Sequence, residues 1–163
     1  MSLRATLTYR LQEIWTGTPW YGDNSAKILD GIVAEVAAKR FLSGTHTIWE
    51  LVLHMTAWTE EVASRVRGVG SKEPDRGDWP PVKATSPDAW AAALAELQQA
   101  RQQLLTEIDR SHEEDFHLHV KSFKEPFIDT GATRAHTVSG LIEHDAYHLG
   151  QIAMLKKAGR SSA

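Results

Sequence analysis

Thr137-Val138-Ser139-Gly140-Leu141-Ile142-Glu143-His144-Asp145-Ala146-Tyr147-His148-Leu149-Gly150-Gln151-Ile152 repeats its apolar side chains at three- and four-residue steps. That is the period of an amphipathic α-helix, with Val138, Leu141, Ile142, Leu149 and Ile152 facing inward. Thr137 is a plausible N-cap and Gly159 a suitable stop, so the helix is expected over 137–159. Lys156 and Lys157 near its end suit the helix dipole. Asp145 falls by angle inside the apolar stripe, between Leu141 and Leu149. A carboxylate there needs a donor, or its pKa rises and it becomes neutral. It either supports a neighbouring histidine or caps a polar layer of the core.

Working outward, the same period recurs three more times. Leu3, Leu7, Leu11, Ile14 and Trp15 form one stripe, and Thr16-Gly17-Thr18-Pro19 breaks it. Trp20-Tyr21-Gly22-Asp23 reads as a loop, and residues 25–41 are helical again, with Gly31 placed to split them into two short helices. A long helix starts after Thr47 and runs to about Arg67, its inner stripe being Ile48, Leu51, Val52, Met55, Thr59, Val62 and Val66. Residues 68–85 hold three of the six prolines and no helical period, a long connection. Ser86-Pro87 opens the next helix, ending near Ser111, with Trp90, Leu94, Leu97, Leu104 or Leu105, and Ile108 inward. Residues 112–134 are irregular, although Phe116-His117-Leu118-His119-Val120 alternates like a short strand or extended loop. Four long amphipathic helices with short extra ones predict an all-α four-helix bundle, in one domain.

Composition removes several function classes. The chain has 163 residues and no cysteine, which excludes disulfide scaffolds, iron–sulfur clusters, cysteine zinc ribbons and thiol nucleophiles. The net charge of −3 argues against nucleic acid or an anionic membrane as partner. The longest apolar run, Ala89 to Ala95, is far short of the ~20 residues of a bilayer span. No secretion signal is visible at Met1-Ser2-Leu3-Arg4, so a cytoplasmic protein is expected. The anomaly is eight histidines, roughly twice the usual share.

Those histidines are unevenly placed. His46-Thr47-Ile48-Trp49-Glu50-Leu51-Val52-Leu53-His54 echoes His136-Thr137-Val138-Ser139-Gly140-Leu141-Ile142-Glu143-His144, with four of nine positions identical. Each segment sets a histidine seven residues after a threonine cap. In a simple up-and-down bundle the second and fourth long helices run parallel, so His54 and His144 sit at one depth. His148 lies one turn on, ~40° round from His144. Three imidazoles can converge there, a donor set that leaves coordination positions open for water or substrate. Imidazole suits zinc, nickel, copper and iron alike. Glu50, Asp145 and Gln151 are placed to orient the imidazoles. The blander reading is also open: a pair of histidines four apart arises readily by chance among eight, and flanking histidines often bond only backbone or solvent. His46 and His136 read as helix-start residues. His117 and His119 are an alternative ligand pair if their segment is a strand, and His112 has no identifiable partner. Trp20, Tyr21, Trp49 and Trp58 read as core or loop-packing aromatics, one or two of which can wall a cleft.

Trp49-Glu50-Leu51-Val52-Leu53-His54 with Trp58, and then Glu143-His144-Asp145-Ala146-Tyr147-His148-Leu149-Gly150-Gln151-Ile152, resemble the DinB/YfiT-like superfamily. The resemblance covers most of the chain in order, and the terminal block is its most specific part. It implies an up-down-down-up four-helix bundle, replacing the simple up-and-down course, and commonly a homodimer. It also implies a divalent metal ion, zinc or nickel, on His54, His144 and His148. Characterised relatives include S-transferases using low-molecular-weight thiols, an isomerase and hydrolases. By that resemblance the chain is expected to activate a thiol or water for attack on a small electrophile, the thiol being a cosubstrate since the chain has none. The expectation from another class is a non-catalytic metal-binding or structural dimeric bundle in a stress response.

Overall fold

The computed structural model describes residues 1–121 and 131–161, and its elements are α-helical. Helix α1 spans Leu3–Trp15, α2 Ser25–Leu29, α3 Ala34–Ala38, α4 Ile48–Val66, α5 Pro87–Arg110 and α6 Arg134–Ser161. A 3-10 turn, Glu113–His117, lies between α5 and α6. No helix among the described residues is long and apolar enough to cross a membrane.

Local chemistry sets most of these boundaries. Ser2, Asn24, Thr47 and Ser86 each cap a helix by accepting a backbone N–H three residues on. Thr47 and Glu50 form a reciprocal capping box, and Pro87 sits at the first position of α5. Gly31, at φ +67°, separates α2 from α3, a conformation that favours glycine.

The last helix departs from expectation at both ends. It begins a turn before Thr137: the Thr133 hydroxyl accepts from His136 N at 3.1 Å, and Thr137 is already helical. Gly159 does not end it. A Cβ at that position would meet Val36 at 3.0 Å and Phe41 at 3.1 Å, so this glycine lets α6 approach the α3 segment closely. Lys156 serves a different helix end, donating to the carbonyls of Ile28 and Asp30 at 2.9 and 2.6 Å and closing α2. The alternating segment 116–120 is not a strand. It combines the end of the 3-10 turn with an isolated antiparallel bridge between His119 and Thr133. The remainder of the irregular stretch includes 122–130, outside the described residues.

Helix α4 packs on α5 and α6, and α1 packs on the same two. One core cluster joins Ile48, Leu51 and Met55 of α4 to Trp90 and Leu97 of α5 and to Leu149 and Ile152 of α6. A second joins Val62 and Val66 to Leu104 and Ile108, to Val138 and Leu141, and to Leu7 and Leu11. Early α4 therefore meets late α6, and late α4 meets early α6. The two helices run antiparallel, which corrects the parallel placement used to level His54 with His144. All seven residues of the α4 inner stripe are buried. Together with the α1 and α6 stripes they supply the apolar burial, at roughly 25 cal/mol per Å², that fixes the α4–α6 seam.

Candidate metal centre

His54 sits in the second turn of α4, and His144 and His148 occupy successive turns of α6 across the seam. Their ring nitrogens converge. His54 Nε2 lies 2.9 Å from His144 Nε2, and His148 Nε2 lies 3.1 Å from the same atom. One nitrogen from each ring falls within 4.8 Å of the others. Among the described residues these three form the one group of histidines and carboxylates suited to hold a metal ion. His54 and His148 are buried, and the His144 side chain is 27% exposed.

The outer nitrogens decide what the inner ones can do. His54 Nδ1 faces the carbonyl oxygen of Asp78 at 2.6 Å, and His148 Nδ1 faces Gln151 Oε1 at 2.8 Å. Both partners accept, so both Nδ1 atoms must carry the proton and donate. In neutral imidazole this leaves a lone pair on each Nε2, and the two lone pairs point at His144 Nε2. A single N–H there can satisfy one of them, not both. The arrangement calls for a cation between the rings. Burial keeps the rings neutral: it drives the His54 pKa down to about 4, with His144 and His148 adding to the drop, and the Asp78 carbonyl opposing it. The His148 pKa is lowered as well, again chiefly by burial. Neutral, buried nitrogen donors with fixed tautomers fit a divalent cation such as zinc or nickel.

The connection between α4 and α5 supplies parts of the site that the sequence did not announce. Gly77 turns the chain at φ +82°, bringing Asp78 and Trp79 onto α4. The Asp78 carboxylate accepts from Trp58 Nε1 at 2.7 Å and also lies 3.4 Å from His54 Nδ1. Trp79 stacks on His54 with ring centroids 3.9 Å apart, and its other face stacks on His46 at 3.4 Å. An indole is thus clamped between two imidazoles and covers one face of the cluster. The only signal was an acid and an aromatic beside Pro80-Pro81, and nothing in spacing links a loop residue to a turn of α4.

Of the residues expected to orient the imidazoles, Gln151 bonds His148 as described. Glu50 instead faces the start of α4: its carboxylate accepts from Thr47 N at 2.7 Å and from Arg40 at 2.9 Å. Its position at the third residue of the capping box commits it there. Asp145 is fully buried, and its Oδ2 accepts from Trp15 Nε1 at 2.9 Å, with Arg101 Nη2 at 3.6 Å. The donor that the sequence demanded for this carboxylate is an indole from α1. Its Oδ1 lies 3.8 Å from His144 Nδ1.

The remaining histidines divide differently from expectation. His46 precedes the Thr47 cap, and its ring also reaches the site through Trp79. His136 lies in the first turn of α6 and lines a cleft of about 310 Å³ with Trp58, Arg65, Thr137, Gly140 and His144. His119 and His117 are exposed and stand apart from the cluster; His119 Nδ1 donates to the Gly131 carbonyl at 2.9 Å. His112 starts the 3-10 turn, its backbone N–H donating to Asp115 at 2.8 Å. Trp49 is core and tilts against Trp90, Trp58 walls the cleft, and Trp20 and Tyr21 are exposed in their loop.

An all-α protein whose helices bring three neutral imidazoles together is the class that fold and site define. The chain belongs to the DinB superfamily, whose family description matches residues 21–152. No curated protein and no solved structure matches it.

Proposed function

We propose that the chain holds a divalent cation, zinc or nickel, on His54, His144 and His148, and uses it in an enzymatic reaction of the S-transferase or hydrolase type. The observation that carries this reading is the convergence of three Nε2 atoms, with the lone pairs of two set by the Asp78 carbonyl and Gln151. When bound, the cation supplies a Lewis acid that lowers the pKa of a thiol or water. The chain's own residues orient and shield: Gln151 and Asp78 fix the tautomers, and Trp79 and Trp58 limit water. The partly exposed edge of His144 opens to the cleft, where a small electrophile would lie. Three protein ligands rather than four favour catalysis over a closed structural site. The lengthwise pairing of the core clusters supports an up-down-down-up course for the four long helices. We place it in one domain of a cytoplasmic homodimer that takes a small-molecule substrate, with neither nucleic acid nor membrane as partner.

Metal analysis of the purified chain tests the first step. About one divalent ion per chain is expected, with loss in His148→Ala, and equal metal in both removes the reading. Turnover across a panel of low-molecular-weight thiols, water and small electrophiles tests the second step. Trp79 lying flat on His54 favours the other reading, a non-catalytic metal-binding bundle. Stabilisation by metal with no turnover across that panel would select it.

A further inference from the structure

Arg101 is 5% exposed on the inner face of α5, yet its Nε and Nη2 are buried with no hydrogen-bond partner among the described residues. The acid that faces it, Asp145, comes no nearer than 3.6 Å, and the oxygen concerned already accepts from Trp15. The guanidinium lies over the Trp15 ring, 5.1 Å from its centroid, so one of its faces is covered. Ser25, fully buried at the first position of α2, carries a hydroxyl that also lacks a partner. Arg101 and Ser25 line one cavity of about 380 Å³ between α1, α2 and α5. The rest of its wall is largely apolar, with Trp15, Trp90, Leu94 and Leu97.

A buried guanidinium with open donors is costly, and its planar fork matches the two oxygens of a carboxylate. Two acids temper the charge that this cavity will accept: Asp145 beside Arg101, and Asp30 on the lining. One cation and one hydroxyl against those acids suit a single negative charge and disfavour a phosphate dianion. We propose that this cavity binds a small organic acid, with the carboxylate on Arg101 and Ser25 and the apolar body against Trp15, Trp90 and Leu94. The site uses none of the three imidazoles, so it stands or falls apart from the metal reading.

The indoles of Trp15 and Trp90 both line the cavity, and their N–H groups donate to Asp145 and to the Ile32 carbonyl. They are therefore the reporters. The full chain, labelled with nitrogen-15, is titrated with butyrate, once with zinc and once after chelation. Saturable shifts of the Trp15 and Trp90 indole resonances are expected in both states and in His148→Ala. Arg101→Met should weaken butyrate binding by about tenfold or more. Because that variant leaves Asp145 without its cation, Ala91→Phe provides a second arm: Ala91 is exposed on the cavity wall, and a phenyl group there fills the space without touching the fold. Loss of binding in Ala91→Phe, with an unchanged circular dichroism spectrum, supports the site. Butanol shifting the indoles as butyrate does, binding that requires zinc, or unchanged binding in Ala91→Phe would overturn it.

Discussion

His144 Nδ1 and Asp145 Oδ1 face each other at 3.8 Å on consecutive residues of α6, both buried and neither with a hydrogen-bond partner. A shift of roughly 1 Å would make them a donor–acceptor pair. The carboxylate would then hold the proton on Nδ1 and leave the third Nε2 lone pair free for the cation. Partners of this kind typically account for about 10–100-fold in metal affinity. Asp145→Asn is therefore expected to weaken zinc binding in that range, measured by competition with a chromophoric chelator. The same substitution strands the Arg101 guanidinium, so unfolding should become easier by about 3–5 kcal/mol. Unchanged zinc affinity in a folded Asp145→Asn chain would assign Asp145 to Arg101 and Trp15 alone.

Trp79 gives a second expectation. Its ring covers one face of His54 but is 37% exposed, so it contributes little to the core. Trp79→Ala should cost on the order of 1 kcal/mol or less in stability. Transfer of zinc from the chain to an external chelator should become several-fold faster, because solvent and chelator reach His54 directly. Equal transfer rates in the two chains would show that the indole packs on the site without guarding it.

The buried imidazoles also fix a pH dependence in the metal-free chain. His54 has a folded pKa of about 4 against an ordinary value of 6.5, so the unfolded chain binds the proton more readily between those limits. Stability contributed by the neutral ring is thus fully present above pH 6.5 and is lost as the pH falls toward 4. The lowered pKa of His148 acts in the same direction. Urea unfolding at stepped pH values, after chelation, should show a steeper fall over this range than His54→Gln. A parallel pair of profiles would contradict it.

Much of this site was legible from periodicity, and the way it was legible is instructive. The α4 and α6 stripes were correct because burial of apolar side chains every three or four residues leaves little freedom about which face turns inward. That alone placed His54, His144 and His148 on the flanks of the seam. The argument that levelled them failed in both premises: α6 is capped at Thr133 rather than Thr137, and α4 runs against α6. The rings meet all the same, since antiparallel helices crossing at their middles bring His54 opposite the 144–148 turn. Asp78 and Trp79 were invisible because a connection without a period carries no phase, so its contacts are fixed only when the helices are in place. Glu50 was misplaced for a simpler reason. A carboxylate three residues after a threonine cap is claimed by the backbone N–H of that cap at shorter range than any imbalance at the next turn.

Metal removal closes the argument, because a site assembled from two helices stores binding energy as folding energy. The three ligands come from α4 and α6, and unfolding separates them. A cation held at 100 times its Kd then stabilises the folded chain by about 2.7 kcal/mol. For a chain of this size, roughly 2–4 °C in Tm accompanies each kcal/mol, so chelation should lower Tm by roughly 5–10 °C. His144→Ala should abolish that difference, because His144 Nε2 is the atom that both other rings face at 2.9 and 3.1 Å. The variant removes a partly exposed side chain, so its metal-free Tm should stay near that of the chelated parent. A scan of both chains with and without zinc decides the matter: a Tm that zinc raises equally in His144→Ala would place the stabilising ion elsewhere on the molecule.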